Sequence, residues 1–165
     1  LDALINEILI LARMEQEQPE LEQTNLAGLL HKLTDDYQLV FPEQRIQVDC
    51  PAETELWLVS SFLQCALDNL LRNALRFNPA NQPVKISVQQ NEAGVNISIR
   101  DHGPGVEPEL LEKLTQPFMR AQGQQYTGYG LGLSITERAV RRMRGRLSLA
   151  NHPEGGFVAR IHLPN

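Results

Sequence analysis

A glycine-rich segment that runs directly into a helix is the most informative part of the sequence. Three glycines alternate with other residues in Gly128-Tyr-Gly-Leu-Gly-Leu133, immediately before a stretch with helical periodicity. Alternating glycines let a backbone turn and approach a ligand closely, and the first turn of a helix offers unpaired N–H groups to an anion. The pattern is typical of phosphate binding. It has neither the spacing of a P-loop nor the preceding strand of a dinucleotide-binding fingerprint, and an ordinary glycine-rich loop is the alternative.

A second candidate is a carboxylate at the end of a predicted strand. Asp101 follows the alternating stretch 95–99, and Gly103 and Gly105 come directly after it. A carboxylate at this place can accept a hydrogen bond from an amino group of a ligand that lies against the turn. The alternative is an ordinary Asx-type turn. The Asp-Phe-Gly motif of protein kinases is excluded, because neither the catalytic loop nor the glycine-rich loop of those enzymes precedes it.

Two asparagines share one face of a leucine-rich helix. Asn69 and Asn73 are four residues apart, and Arg76 follows Asn73 by about one turn. Asparagine is a mediocre helix former, so two of them on one face call for a reason. An amide oxygen can ligate Mg²⁺ beside phosphates without adding negative charge. The alternative is a polar outer face of the helix.

The periodicity predicts the elements that must position these residues. Three helices are expected in the first half of the chain: one over 1–17, one that begins after Asn25 or Thr24 as N-cap, and one from 60 or 61 to just before Pro79. Two more are expected over 109–114 and over 130–144, the last with Gly145 as its C′ residue. Strands are expected at 46–49, 56–59, 84–88, 95–99, 147–149 and 157–163, the third and fourth as a hairpin. This order predicts an α+β two-layer sandwich, a mixed sheet covered on one face by helices. A boundary near Pro19 divides the chain into 1–18 and 24–165.

The composition excludes several classes of protein. The chain has 165 residues, of which 42% are hydrophobic and 21% charged, as expected for one soluble globular domain. No apolar run is long enough for a membrane-spanning helix, and no signal peptide opens the sequence. Two cysteines cannot build a disulfide framework, which fits a reducing compartment, and a net charge of −5 argues against bulk nucleic-acid binding. The single tryptophan, Trp57, is expected in the core.

Together and in this order, the three motifs resemble the catalytic and ATP-binding domain of bacterial sensor histidine kinases, which has the Bergerat fold. In the terms of that family, 69–77 is similar to the N box, 101–105 to the G1 box, Pro117-Phe118 to the F box and 128–132 to the G2 box. The resemblance covers about 24–163. It implies that 1–17 is the end of the second helix of the dimerisation and phosphotransfer hairpin.

The resemblance also implies a role for each site residue. Asp101 would accept a hydrogen bond from the adenine amino group, while Gly103 and Gly105 would keep the pocket floor free of side chains. Asn73 would be the main protein ligand to Mg²⁺, with Asn69 near the phosphates. The other implied contacts are base stacking by Phe77, charge on the phosphates from Arg76 and Arg120, an anchor for the lid 106–127 from Phe118, and phosphate-binding backbone N–H groups from Gly128, Gly130, Leu131, Gly132 and Leu133.

The activity implied by the resemblance is transfer of the ATP γ-phosphoryl group to a histidine on the dimerisation hairpin, in cis or in trans, for relay to a response regulator. The family's acceptor histidine precedes an acidic and then a basic residue. The four histidines here precede Lys32, Gly103, Pro153 and Leu163, so none fits. The chain is therefore expected to be a kinase domain without its acceptor, in the cytoplasmic part of a bacterial inner-membrane protein, touching neither membrane nor nucleic acid.

Two other functions stay open at this point. One is an ATPase or a serine-directed anti-sigma kinase of the same fold, and the other is a non-catalytic nucleotide-binding or dimerisation module. The N-terminal helix disfavours the serine kinase, which needs no hairpin. Asn73, Asp101 and the glycines of 128–132 disfavour an inactive module. In hydrolytic relatives a glutamate one turn before the metal-binding asparagine activates water, and this chain has Asn69 there.

Overall fold

The computed structural model describes residues 2–16, 20–116 and 132–165. The helices are α1 (Asp2–Gln16), α2 (Leu26–Val40), α3 (Ser60–Phe77), a short 3₁₀ helix (Pro108–Lys113) and α4 (Gly132–Arg142). The strands are β1 (Glu22–Asn25), β2 (Ile46–Asp49), β3 (Glu55–Leu58), β4 (Val84–Asn91), β5 (Gly94–Arg100), β6 (Arg146–Asn151) and β7 (Phe157–Pro164). Among the described helices, none combines the length and the apolar character that a membrane crossing requires.

In the described part of the chain the main sheet has five strands, in the order β2-β4-β5-β7-β6. Only β2 and β4 pair in parallel; the other neighbours are antiparallel. The alternation predicted from the sequence decides which face is covered: Val84, Ile86 and Ile97 are buried, whereas Lys85 and Arg160 are exposed on the other face. The helices pack on the apolar face, so the predicted two-layer sandwich with a mixed sheet is confirmed.

Helix α3 supplies the centre of the core. Its leucines at positions 63, 67 and 71 recur every four residues and are fully buried, and those at 70 and 75 are almost so. Helix α2 begins where its cap predicts, because the Asn25 Oδ1 accepts a hydrogen bond from the Gly28 backbone N–H at 3.0 Å. The C-terminal turn of α1 reaches this core through Met14, which is 2% exposed, and Glu15 pairs with Arg138 on α4.

Two expectations about the segment around β3 are wrong. Strand β1 lies in a polar run that was not expected to be a strand, and it pairs with β3 in a separate two-stranded sheet. Trp57 is 70% exposed rather than buried. The neighbouring Leu58 points inward at 5% exposure, so the alternation along β3 turns Trp57 to the opposite, exposed face of the strand.

The end of α4 differs from the prediction by one residue. Gly145 was expected as the left-handed C′ residue, but Arg144 holds that conformation, with φ +61°. The Arg144 N–H donates to the Arg141 carbonyl at 2.9 Å and the Gly145 N–H to the Val140 carbonyl at 2.8 Å, which is a Schellman motif with Gly145 at C″. Gly145 is required for another reason: a Cβ there would lie 2.5 Å from the His162 carbonyl oxygen on β7.

Two substitutions test this assignment. Arg144→Gly is expected to raise the free energy of unfolding by about 1 kcal/mol, because it relieves a left-handed L-residue. Gly145→Ala is expected to lower it by about 2 kcal/mol, because the added methyl group collides with β7. Urea unfolding monitored by circular dichroism measures both variants. Loss of stability in both variants would mean that Gly145, not Arg144, carries the left-handed turn, because alanine would then be strained at 145 and glycine would weaken the helix end at 144.

Candidate functional site

Asp101 is a buried carboxylate held by backbone donors. It follows β5 directly and is 2% exposed. Its Oδ1 accepts hydrogen bonds from the Gly103 N–H at 2.8 Å and the Phe157 N–H at 3.2 Å. Burial raises the pKa of the Asp101 carboxyl above its ordinary value, and these two donors and the charges of His102 and Arg100 offset only part of that rise. The described bonds all go to Oδ1, which leaves the lone pairs of Oδ2 for a ligand.

The two glycines after Asp101 are needed for close approach. A Cβ on Gly103 would lie 2.7 Å from the Phe77 carbonyl oxygen at the end of α3. Gly105 has φ +73°, and a Cβ there would lie 2.7 Å from Asn151 Oδ1. The turn is thereby pressed between α3 and β6, where a side chain on either glycine would not fit.

Two amide side chains that the sequence did not predict as site residues hold this turn: Asn78, which is buried, and Asn151, which is half-buried. Asn151 Oδ1 accepts from the Val106 N–H at 2.8 Å, and its Nδ2 donates to the Val106 carbonyl at 2.6 Å. Asn78 Oδ1 accepts from the His102 N–H at 2.8 Å, and Asn78 itself is bonded to Gln44. The one sequence signal was the position of Asn78, which precedes Pro79 where α3 has to end.

A pocket opens between α3, the turn after β5 and the start of α4. Two polar side chains predicted as site residues, Asn73 and Asp101, meet in this pocket, and the rest of its described lining is mostly apolar. The other described lining residues are Phe77, Pro104, Gly105, Val106, Leu114, Leu133 and Phe157. Apolar walls with a few convergent polar groups are typical of small-molecule sites. The space between these side chains is about 20 Å³, room for about one water molecule.

The other predicted residues stand in different places. Asn69 does not line the pocket; its Nδ2 donates to the Gly132 carbonyl at 3.3 Å, where α4 begins. Arg76 lies half-buried in the last turn of α3. The remaining predicted site residues fall outside the described ranges, and their roles stay predictions: Phe118, Arg120, Gly128, Gly130 and Leu131.

The start of α4 has an unusual glycine. Gly132 has no positive φ among the described backbone angles, and no described atom lies within 4 Å of where its Cβ would stand. Neither backbone strain nor protein packing in the described part therefore requires glycine at this position. Close approach of a ligand to the helix N-terminus would require it.

Metal binding through a cluster of ionisable side chains is not built into the described residues. They contain no group of three or more His, Cys, Asp or Glu side chains that could hold a metal ion. A divalent cation at this pocket would need amide oxygens, water and the oxygens of its own ligand. Such a donor set suits Mg²⁺, which keeps several waters and binds together with phosphates.

Comparison with known proteins gives one family and a consistent set of relatives. The family described as "Histidine kinase-, DNA gyrase B-, and HSP90-like ATPase" matches residues 59–165. The sensor histidine kinase CpxA of Escherichia coli K12 is 33% identical over 171 residues, which cover 99% of this chain and 37% of CpxA. The phosphate regulon sensor protein PhoR of Pseudomonas aeruginosa PAO1 is 30% identical, covering 96% of this chain and 38% of PhoR. The chain thus spans well under half the length of these relatives.

Solved structures with the same fold include those of MprB, AdeS and ShkA. The mycobacterial sensor histidine kinase MprB superposes with a TM-score of 0.78 at 23% identity, over 87% of this chain and 97% of that one. AdeS of Acinetobacter baumannii gives 0.81 at 21% identity, over 99% and 77%. Full-length ShkA, solved in complex with AMPPNP, gives 0.81 at 24% identity, over 98% of this chain and 35% of ShkA.

Proposed function

The chain belongs to the histidine kinase-, DNA gyrase B- and HSP90-like ATPase family, and on that basis we propose that it is the ATP-binding catalytic domain of a sensor histidine kinase. The observation that carries the proposal is the buried carboxylate of Asp101 in an apolar pocket that also contains Asn73. A carboxylate is costly to bury, so its position on a ligand pocket favours a binding role.

Asp101 is the proposed reader of the base. Backbone N–H groups hold Oδ1, so Oδ2 can accept a hydrogen bond from the exocyclic amine of adenine. Guanine has a carbonyl oxygen at the corresponding ring position, and that oxygen would face the carboxylate without a proton between them. The apolar walls, among them Leu114 and Phe157, would cover the ring faces. This arrangement favours ATP over GTP.

Asn73 is the proposed protein ligand to Mg²⁺. It lies on the pocket wall one turn of α3 beyond Asn69, and its amide oxygen is a neutral donor. Bound Mg²⁺ would neutralise charge on the phosphates. Since the described residues hold no acidic cluster, most of the remaining ligands would be water and phosphate oxygens.

The N-terminus of α4 is the proposed phosphate-binding end. Gly132 and Leu133 open this helix, and Leu133 lies on the pocket wall. Unpaired N–H groups and the positive end of the helix dipole both favour anions there. No described atom lies within 4 Å of where a Gly132 Cβ would stand, so the described residues leave room for a phosphate to approach the backbone.

The proposed reaction is transfer of the γ-phosphoryl group to a histidine of the dimerisation hairpin in the whole protein. Helix α1 would be the end of that hairpin, and its boundary with the ATP-binding domain would fall near Pro19. The domain's own part would be positioning and charge stabilisation, because phosphoryl transfer asks for little covalent chemistry from the protein. A response regulator would receive the phosphoryl group, and the domain would work on the cytoplasmic side of the bacterial inner membrane.

Isothermal titration calorimetry tests the binding proposal. ATP and AMPPNP are expected to bind in the presence of Mg²⁺, and GTP to bind much more weakly. Removal of Mg²⁺ with EDTA is expected to weaken ATP binding, because the phosphates then lose their counter-charge. If the purified chain binds no adenine nucleotide, or binds GTP as well as ATP, the proposed function is wrong.

A further inference from the structure

Three side chains outside the pocket form a network between α2 and α3. The Tyr37 Oη donates a hydrogen bond to Asp68 Oδ1 at 2.6 Å, and Arg72 Nε donates to the Tyr37 Oη at 3.2 Å. Arg72 also forms an ion pair with Asp68, one turn before it on α3. None of the three lines the pocket that contains Asp101.

The network holds the guanidinium of Arg72 in one orientation. Burial and the bond to Asp68 raise the pKa of Tyr37 to about 12, so the phenol stays protonated and keeps donating to the carboxylate. The Tyr37 ring also stacks on Phe41, with centroids 6.3 Å apart. Arg72 is thus held by Tyr37 on α2 and by Asp68 on its own helix. Because the guanidinium is planar and rigid, these two contacts also fix where its remaining N–H group points.

The remaining N–H group of Arg72 points to Asn69. Arg72 Nη2 donates to Asn69 Oδ1 at 3.3 Å, and Asn69 Nδ2 donates to the Gly132 carbonyl at 3.3 Å. Arginine can only donate and a carbonyl can only accept, so both neighbours require the same orientation of the amide. The Thr136 hydroxyl donates to the same carbonyl at 2.8 Å, and Thr136 is fully buried. The first residue of α4 is therefore held from both helices.

We infer that Tyr37, Asp68 and Arg72 are positioning residues that orient the Asn69 amide, and that Asn69 in turn holds the start of α4 against α3. This inference rests on the proposed function and deepens it. Because the Asn69 oxygen is occupied by a guanidinium, Asn73 is the metal ligand of the two asparagines. Asn69 acts on the phosphates through the position of Gly132, where the glycine segment ends.

A double-mutant cycle on ATP affinity tests the inference. Arg72→Met is expected to weaken Mg²⁺-ATP binding about tenfold, as loss of a residue that orients a ligand-binding group does. Tyr37→Phe removes one hydroxyl and is expected to weaken it about threefold. In an Asn69→Ala background, Arg72→Met is expected to have no further effect, because its path to the phosphates is already cut. Additive losses would mean that Arg72 acts by another route and would overturn the inference.

Arg72→Lys separates positioning from stability. Lysine can keep the ion pair with Asp68 but cannot reach Tyr37, Asp68 and Asn69 at once. Its melting temperature is expected to match the unmodified chain while its ATP affinity matches Arg72→Met. Recovery of ATP affinity by the lysine would show that only the charge matters. Arg141→Met is the control, because it removes another ion pair spaced i,i+4, with Glu137 on α4, and is expected to bind ATP normally.

The positioning role of the network and the proposed function are tested separately. If the unmodified chain binds ATP and Asn69→Ala weakens binding, but Arg72→Met and Tyr37→Phe bind normally, the network has no positioning role and the proposed function stands. If the unmodified chain binds no ATP, the proposed function itself is wrong.

Discussion

Asp101→Asn is expected to weaken ATP binding by about 100-fold or more while the fold stays intact. The asparagine Oδ1 can keep both backbone bonds, from the Gly103 and Phe157 N–H groups. Its Nδ2 then stands where the carboxylate offered an acceptor, so two donors face each other at the adenine amine. Calorimetry with ATP and GTP measures the loss of affinity. The ratio of ATP affinity to GTP affinity is expected to fall, because the asparagine amide can donate to the guanine carbonyl.

The stability of Asp101→Asn is not expected to fall together with its ATP affinity. Burial raises the pKa of Asp101, so its contribution to stability is complete below the pKa of the unfolded chain and is lost as the pH rises through the folded pKa. At neutral pH the ionised carboxylate is therefore a cost, and Asp101→Asn is expected to melt no lower than the unmodified chain. Asp49→Asn, an exposed change at the end of β2, is the control and is expected to alter neither property. A variant that loses ATP binding only because it unfolds would contradict the assignment.

The same shift sets the acid limit of ATP binding. Protonation of Asp101 removes the acceptor, so affinity is expected to fall as the pH drops through a value above 3.8, the ordinary pKa of an aspartate. The fall is expected to be absent in Asp101→Asn, whose residual affinity has no carboxylate to lose. Titrations with AMPPNP between neutral and acidic pH separate the two curves.

Slow ATP hydrolysis is the second large effect expected. The resemblance implies a glutamate at the position of Asn69 in relatives that hydrolyse ATP, and general-base help is worth about 10²–10⁴ in rate. The amide has no useful basicity, and Arg72 already occupies its oxygen. The chain is expected to bind ATP, to release phosphate very slowly and to form no acid-labile phosphohistidine of its own. Transfer from radiolabelled ATP is expected only to an added acceptor hairpin from the whole protein.

A gain-of-function pair sharpens this prediction. Asn69→Glu alone is expected to leave hydrolysis slow, because Arg72 would pair with the new carboxylate and lower its basicity. Asn69→Glu combined with Arg72→Met is expected to release phosphate faster than either single variant. Fast phosphate release by the unmodified chain would favour the ATPase over the kinase.

The spacing of apolar residues was enough to predict the elements whose burial follows a simple period. The alternation of Val84, Ile86 and Val88 predicted β4, and the leucine spacing predicted α3. The order of the three motifs predicted the family, which is confirmed by the match over 59–165, and with it the two-layer fold. The meeting of Asp101 and Asn73 at one pocket followed from the same resemblance, since the residues are far apart in sequence.

The remaining features depend on contacts between distant segments. Strand β1 has only Thr24 buried, so no alternation of apolar residues announced it; pairing with β3 makes it a strand. The apolar pocket walls at Leu114 and Phe157 look in sequence like ordinary core positions. The link between Tyr37 and Asp68 joins side chains 31 residues apart, and only the packing of α2 on α3 brings them together.

The exposure of Trp57 has a spectroscopic consequence. It is the only tryptophan of the chain, it is 70% exposed on β3, and it does not line the pocket that contains Asp101. Its emission is therefore already that of an indole in water and should change little when ATP binds or when the chain unfolds. Phe157→Trp, on the pocket wall, would add a second indole that is buried in the folded chain. Against the constant signal of Trp57, that second emission would report base binding and unfolding in real time.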